Sequence, residues 1–366
     1  AETLQIRSAN TTSMLTWTSL ILHFPFWYRK AKSPLSPMLN LYPPANHAVH
    51  NGVSLNFAPD IDHACQTIHD ACKGLGTNEK KLIVALGTKS ADQRYLISVR
   101  YQQLYGKELK KVLKGETSGH FGRLLQLISR PLPEAEAAII RNATKGLGTK
   151  EKLIYPVVMG RTNVELAILK RSYFDKFGHD LGSVLDGELS GDLKKVILAA
   201  LQAPLEQFNP ALHTPQRADA DAKALYKAGQ GRLGTDERTF IGILVTSPPQ
   251  HLRAVNTAYV TKHKNDLIKA VKKEFGGDAE DALLFLVRMA LEPLELLSEL
   301  FEKTMKSFGT DEDALSAALV RYHLVLRDIC PVYKKMYRKE LRDRIHGEVS
   351  GDYRKLLLAV FDAPGY

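Results

Sequence analysis

Four times in this chain a loop string containing glycine comes before a lone glutamate at a nearly fixed interval. Lys73-Gly74-Leu75-Gly76-Thr77 leads to Glu116, and Lys145-Gly146-Leu147-Gly148-Thr149 leads to Glu188, thirty-nine residues after the threonine in both cases. Gly231-Arg232-Leu233-Gly234-Thr235 keeps that interval to Glu274, whereas Lys306-Ser307-Phe308-Gly309-Thr310 meets Glu348 one residue early. Glycine admits positive φ, so a tight loop of this kind can turn successive carbonyl oxygens toward one point. Carbonyls joined by a carboxylate make a hard oxygen donor set, which suits Ca²⁺ with its six to eight oxygens at about 2.3–2.6 Å. The chemistry that these residues suggest is cation binding by main-chain oxygens.

The elements that position such loops read as helices. Ile61, Ala64, Cys65, Ile68 and Cys72 recur at three-to-four spacing and give an apolar stripe before the first glycine loop. Thr77-Asn78-Glu79 has the hydroxyl and early acid of a helix start, and Leu82, Ile83, Ala85 and Leu86 continue that helix. Tyr95, Leu96, Val99 and Leu104 carry a third helix to Gly106. A short segment from Glu108 to Leu113 precedes Glu116, and Phe121, Leu124, Leu125 and Ile128 form a last stripe that stops near Pro131. The glycine loop therefore falls between a first and a second helix, and the glutamate between a fourth and a fifth.

The threonines stand 72, 86 and 75 residues apart, so the organisation is an internal repeat. The long middle step holds Pro204, Pro210 and Pro215 and reads as a connector between two pairs of repeats. Repeated Lys-Gly-x-Gly-Thr followed by Gly115-Glu116-Thr117-Ser118-Gly119, Gly187-Glu188-Leu189-Ser190-Gly191, Lys273-Glu274-Phe275-Gly276-Gly277 and Gly347-Glu348-Val349-Ser350-Gly351 resembles the annexin family from about Pro59 to about Pro364. The resemblance implies an all-α fold of four repeats, about five helices each, in a curved disc with an N-terminal tail. The expected division is a tail over 1–57, repeats over 58–131 and 132–203, a linker over 204–215, and repeats over 216–291 and 292–366.

The same resemblance implies ligands residue by residue. The first site takes the carbonyls of Cys72, Gly74 and Gly76 with the Glu116 side chain, and the second takes Thr144, Gly146 and Gly148 with Glu188. The third takes Gly229, Arg232 and Gly234 with Glu274; an arginine there restricts the loop but keeps its carbonyl. The fourth, Met305, Ser307 and Gly309 with Glu348, is expected to be weak or dead, because serine replaces glycine and a residue is missing around Arg321-Tyr322-His323. Leu75, Leu147, Leu233 and Phe308 occupy the loop tips, where an apolar side chain either enters a membrane interface or folds back onto the core. Lys73, Lys145, Arg232 and Lys306 flank them, either meeting phosphates or staying solvated. Glu79, Glu151, Glu237 and Glu312, two residues after each threonine, are either helix-start acids or minor calcium sites.

What this implies is calcium-dependent, reversible binding to acidic phospholipid membranes, with Ca²⁺ as cofactor. The location implied is cytoplasmic, peripheral at the inner face of the plasma membrane or other membranes. No nucleic-acid partner and no enzyme activity are expected. Two rival readings stand beside it, a calcium-independent helical scaffold for a protein or actin, and a regulator of a membrane enzyme; self-association on membranes is a further expectation.

Composition narrows the classes. The chain has 366 residues, 44% of them hydrophobic, and no run of about 18 apolar residues, which argues against a membrane span. Three cysteines, Cys65, Cys72 and Cys330, lack zinc spacing and suit a reducing compartment. The net charge of +10 favours anionic partners, but the basic residues are spread among acids, without an arginine-rich helix or aromatic platform for nucleic acid. Gly74-Leu75-Gly76 lacks the third glycine of a dinucleotide fingerprint, and His47 and His50 lack metal-binding company. The first 37 residues carry ten Ser and Thr and make a poor signal peptide, since the cluster Arg29-Lys30-Ala31-Lys32 follows the apolar stretch. Met38 is read as the natural start, which mass spectrometry of the native amino terminus checks.

Overall fold

The computed structural model describes residues 57–365, apart from 75, 147, 232, 307 and 308. The expectations for the tail, Met38, His47 and His50, and those for the Leu75, Leu147 and Phe308 tips, Arg232 and Ser307, lie outside the described residues. Among the described residues there is helix and loop but no strand.

Five helices recur four times. The first set is α1 (Pro59–Ala71), α2 (Glu79–Leu82, continued by a π-helical turn Ile83–Gly87), α3 (Ala91–Tyr105), α4 (Leu109–Glu116) and α5 (Gly119–Ile128). The second is α6 (Leu132–Ala143), α7 (Glu151–Val158), α8 (Asn163–Phe177), α9 (Leu181–Glu188) and α10 (Gly191–Gln202). The third runs α11 (Pro215–Ala228), α12 (Glu237–Thr246), α13 (Pro249–His263), α14 (Leu267–Glu274) and α15 (Gly277–Leu291). The fourth is α16 (Pro293–Thr304), α17 (Glu312–Tyr322), α18 (Leu326–Tyr337), α19 (Leu341–Glu348) and α20 (Gly351–Asp362). The all-α, fourfold architecture read from the sequence is present.

Local signals explain the boundaries. Ser90 and Thr162 make full capping boxes with Gln93 and Glu165 at the starts of α3 and α8. Gly106 and Gly178 end those helices in the left-handed region. The same caps in the later repeats are Lys264 and Arg338, at φ 60° and 57°, where side chains tolerate what glycine adopts freely. In the fourth repeat the residue shortage falls between α17 and α18, where a 3₁₀ turn over His323–Val325 replaces the extended break of the other repeats.

The buried apolar residues of the four repeats form one continuous core. The third helices bury Tyr101, Tyr173, Tyr259 and Tyr333 at matching positions, with Ile97, Leu169, Val255 and Ile329 one turn earlier. Burying each such side chain is worth about 1.5–3 kcal/mol. α3 runs to Gly106 as the sequence implied, and it buries Arg94, Ile97 and Tyr101 while Leu104 is exposed.

Repeats also pack on one another. The π turn after α2 lies against α20, where a Cβ added to Gly87 would come within 2.9 Å of the Ala359 Cβ. In the second pair, Gly160 at φ 70° lies against Met289. α6 and α7 meet α17, and there Glu136, fully buried, receives Arg161 at 2.8 Å and Arg321 at 2.8 Å. This ion cluster ties the second repeat to the fourth. The proline-bearing connector is pinned as well: Asn163 exchanges two hydrogen bonds with the backbone of Leu205, Glu206 N–H donates to the Thr246 carbonyl, and the Glu206 carboxylate holds Arg217 and His213.

Candidate metal and membrane loops

All four glycine loops are built to one plan. The first helix of each repeat ends, the loop follows, and its closing hydrogen bond returns from the N-cap of the second helix to the last residue of the first. These bonds are Asn78 N–H to Ala71 O at 2.9 Å, Lys150 to Ala143 at 2.9 Å, Asp236 to Ala228 at 2.7 Å and Asp311 to Thr304 at 2.8 Å. The third loop spans one residue more than the others between those anchors, so Gly229 holds the post-helix position that Cys72, Thr144 and Met305 hold elsewhere.

Within the loops the backbone needs glycine at particular points. Gly74 and Gly146 sit at φ 100° and 119°, beyond the pocket that L side chains share, and Gly76 and Gly148 both sit at 82°. Gly234 and Gly309 take 77° and 93° at the corresponding last position. Glycine at these positions thus follows from backbone dihedrals that other residues rarely adopt.

The acids arrive from the fourth helices. Glu116, Glu188, Glu274 and Glu348 are the last residues of α4, α9, α14 and α19. A threonine joins each to its loop. Thr77 Oγ1 donates to the Glu116 carbonyl at 2.8 Å, and Thr149 Oγ1 lies 3.4 Å from the Glu188 carbonyl and 3.2 Å from its carboxylate. Thr235 Oγ1 donates to the Glu274 carboxylate at 2.6 Å, and Thr310 lies 3.4 Å from the Glu348 carbonyl. The sequence read these threonines as part of the motif, and Thr77 as the hydroxyl of a helix start; Asn78 caps that helix instead, and the threonines join the two segments.

The carboxylates differ in what surrounds them. Glu116 and Glu188 are exposed, and among the described residues no cation pairs with either. Glu274 is half-buried and leans over the third loop; a Cβ added to Gly229 would lie 2.6 Å from its Cδ and 2.9 Å from Oε1. That glycine leaves the space the carboxylate occupies, so loop backbone and acid oxygen share one cradle. Glu348 is also half-buried, but Arg344 on α19 donates to it.

Main-chain carbonyls and one carboxylate per loop are the donors that the first three loops would offer, a set whose chemistry suits a hard cation. Among the described residues no group of three His, Cys, Asp or Glu side chains forms a metal cage. Cys72, although beside Glu116, does not offer a thiolate: burial first and the nearby carboxylate second push its thiol up to about 11.

The loop flanks face solvent. Lys73, Lys145 and Lys306 are exposed, and Leu233 is fully exposed at 101%. Single exposed apolar side chains are ordinary on a protein surface, and this one stands at the tip of its glycine loop. Glu79, Glu151, Glu237 and Glu312 each open the second helix of their repeat, where an acid interacts well with the helix dipole.

Comparison with known proteins matches the four repeats and their fold. The family model described as Annexin matches residues 63–128, 135–200, 220–286 and 298–360. Human Annexin A13 is 39% identical over 303 residues, covering 82% of this chain and 95% of that protein. Annexin A5 of Cynops pyrrhogaster is 36% identical over 304 residues, covering 82% of this chain and 94% of that protein. Among solved structures, annexin III superposes with a TM-score of 0.77 at 32% identity, covering 85% of this chain and 95% of that one. A calcium-bound annexin (Sm)1 gives 0.70 at 26% identity, covering 82% and 90%.

Proposed function

The chain belongs to the annexin family, whose members bind phospholipid in a calcium-dependent way, and on that premise we propose that its docking runs through the first three loops. The observation that carries this reading is the pair Glu116 and Glu188, exposed carboxylates without a cationic partner among the described residues, each tied by a threonine to a loop with positive-φ glycines.

The residues assigned are the carbonyls of Cys72, Gly74 and Gly76 with Glu116, those of Thr144, Gly146 and Gly148 with Glu188, and those of Gly229, Arg232 and Gly234 with Glu274. When bound, Ca²⁺ supplies a doubly charged bridge between these oxygens and a lipid phosphate. The chain's part is to hold its oxygens convergent and to leave one side of each loop open to the headgroups. One carboxylate per loop keeps affinity in solution low, ~10⁻⁴ M or weaker by comparison with sparsely charged modules. Lipid and cation then raise each other's affinity reciprocally, and several loops on one chain multiply the effect through effective concentration. Leu233 enters the interfacial zone, and Lys73 and Lys145 meet the phosphates.

Docking of this kind is peripheral: among the described residues no helix is long and apolar enough to cross a membrane. We place the docking at the inner face of the plasma membrane or other membranes when calcium rises. Co-sedimentation with phosphatidylserine vesicles over a calcium series tests the reading. Pelleting should require calcium and reverse with chelator; pelleting that ignores calcium would leave adhesion by the basic surface instead.

A further inference from the structure

Besides Ser307 and the shorter interval, the fourth repeat differs from the others at a position outside the motif. Position 344, one helical turn before the acid, is arginine, where the first three repeats have Val112, Val184 and Ala270. The Arg344 guanidinium donates to the Glu348 carboxylate and, through Nη2, to the Met305 carbonyl at 2.7 Å. Its Nε reaches Glu302 Oε2 at 3.2 Å, and Glu302 also receives the Tyr333 hydroxyl. Met305 and Glu348 hold the positions that Cys72 and Glu116 hold in the first loop. One guanidinium therefore joins the post-helix carbonyl and the acid, the two kinds of oxygen that a calcium ion would join.

We propose that Arg344 is a built-in cation that takes the place of Ca²⁺ in the fourth repeat and joins Met305 to Glu348 at any calcium concentration. This rests on the assignment of the other three loops under the proposed function. The chemistry is favourable because a guanidinium is always protonated and presents its donors in a rigid fork that fits carboxylate oxygens. It is also tethered, so its effective concentration at the two oxygens does not vary. A free ion would have to expel it and leave a positive side chain, only 19% exposed, facing a second positive charge. The supporting carboxylate of Glu302, 13% exposed, holds the guanidinium from its other side.

Hydrogen exchange on the full chain, with phosphatidylserine vesicles and with either chelator or millimolar calcium, separates the possibilities. In the wild type, peptides covering residues 304–311 should be protected in chelator and unchanged by calcium, whereas those covering 72–78 and 144–150 should gain protection with calcium. Arg344→Val should speed exchange in 304–311 by about tenfold or more in chelator, and calcium should restore protection there. Arg344→Lys, which keeps the charge without the fork, should fall between. Glu348→Gln should leave calcium-dependent pelleting unchanged. Gain of protection in the wild-type fourth loop with calcium, or an Arg344→Val variant indistinguishable from wild type in chelator, would overturn the proposal. Global loss of protection in Arg344→Val would move the decision to the wild-type response and to Glu348→Gln. If the 72–78 and 144–150 peptides ignore calcium, the functional reading fails, and the fourth-loop comparison in chelator still reports on Arg344.

Discussion

Thr77 donates its hydroxyl hydrogen to the Glu116 carbonyl at 2.8 Å, across thirty-nine residues of sequence. Through that bond the end of α4, whose last residue is Glu116, is fixed against the loop that follows α1. A contact held by the chain itself lowers the cost of ordering the loop when a ligand binds.

Removing the acids tests the ligand assignment. Glu116→Gln and Glu188→Gln should each raise the calcium needed for half-maximal vesicle pelleting by roughly tenfold, and the double variant by more, since each removes the one full charge its loop supplies. Circular dichroism should be unchanged, because neither side chain is buried. Unaltered pelleting in the double variant would refute the assignment.

Thr77→Val should act through position. The variant keeps shape but loses the bond to the Glu116 carbonyl, worth about 1 kcal/mol, so calcium demand should rise several-fold while Thr77→Ser restores it. Equal behaviour of Val and Ser variants in the pelleting assay would show that the bond contributes nothing.

Glycine conformation gives a separate test. Gly146→Ala meets no atom within 4 Å, so its effect is conformational alone, at φ 119°. A cost of about 1–3 kcal/mol is expected, or else a loop that relaxes and loses calcium response. Gly187→Ala, also with nothing within 4 Å and with no positive φ, is the control and should be neutral or slightly stabilising. Urea midpoints and calcium titrations of the two variants measure the difference.

The buried cluster predicts a large stability effect. Glu136→Ala leaves Arg161 and Arg321, 5% and 2% exposed, without that carboxylate, which should cost about 3–5 kcal/mol. Urea denaturation should show it, together with looser packing between the second and fourth repeats. A loss below about 1 kcal/mol would mean that water enters the cluster freely.

Acid should weaken the fourth repeat through His323. Burial first, and the positive charge of Arg94 second, bring this imidazole down from 6.5 to about 4, although hydrogen bonds to the Val360 and Ala363 backbone pull the other way. The folded chain is thus the poorer proton acceptor. Stability is full above about 6.5 and declines as the pH falls toward 4, by on the order of 3 kcal/mol at most. His323→Gln should flatten that part of the stability profile in calcium-free buffer; an unchanged slope would place the acid sensitivity elsewhere.

Much of this architecture was legible because the same signal occurs four times. The stripe Ile61, Ala64, Cys65 and Ile68 is buried as its spacing implied, and the glycine and glutamate segments fall at the helix boundaries where the sequence put them. The face of α3 was not legible, since Leu104 is apolar yet exposed and Arg94 is charged yet buried against the Lys89 carbonyl. Burial there is decided by which helix happens to pack alongside, and periodicity on one helix carries no record of its neighbour. The occupant of the fourth loop was hidden for a similar reason. Arg344 lies thirty-nine residues from Met305, and nothing in the motif points to it.

The contact between Gly87 and α20 has a consequence for how such a chain can evolve. In an open-ended array of repeats, a terminal unit can be dropped or duplicated at modest cost, because only its neighbour notices. Here the earliest described repeat takes part of its shelter from the latest, through Leu356 and Ala359 over the π turn. Deleting the last unit would strip apolar cover from the first, three repeats away in sequence, and adding another would have to displace α20 from its seat. Copy number in this chain is fixed by a contact between the two units farthest apart along it.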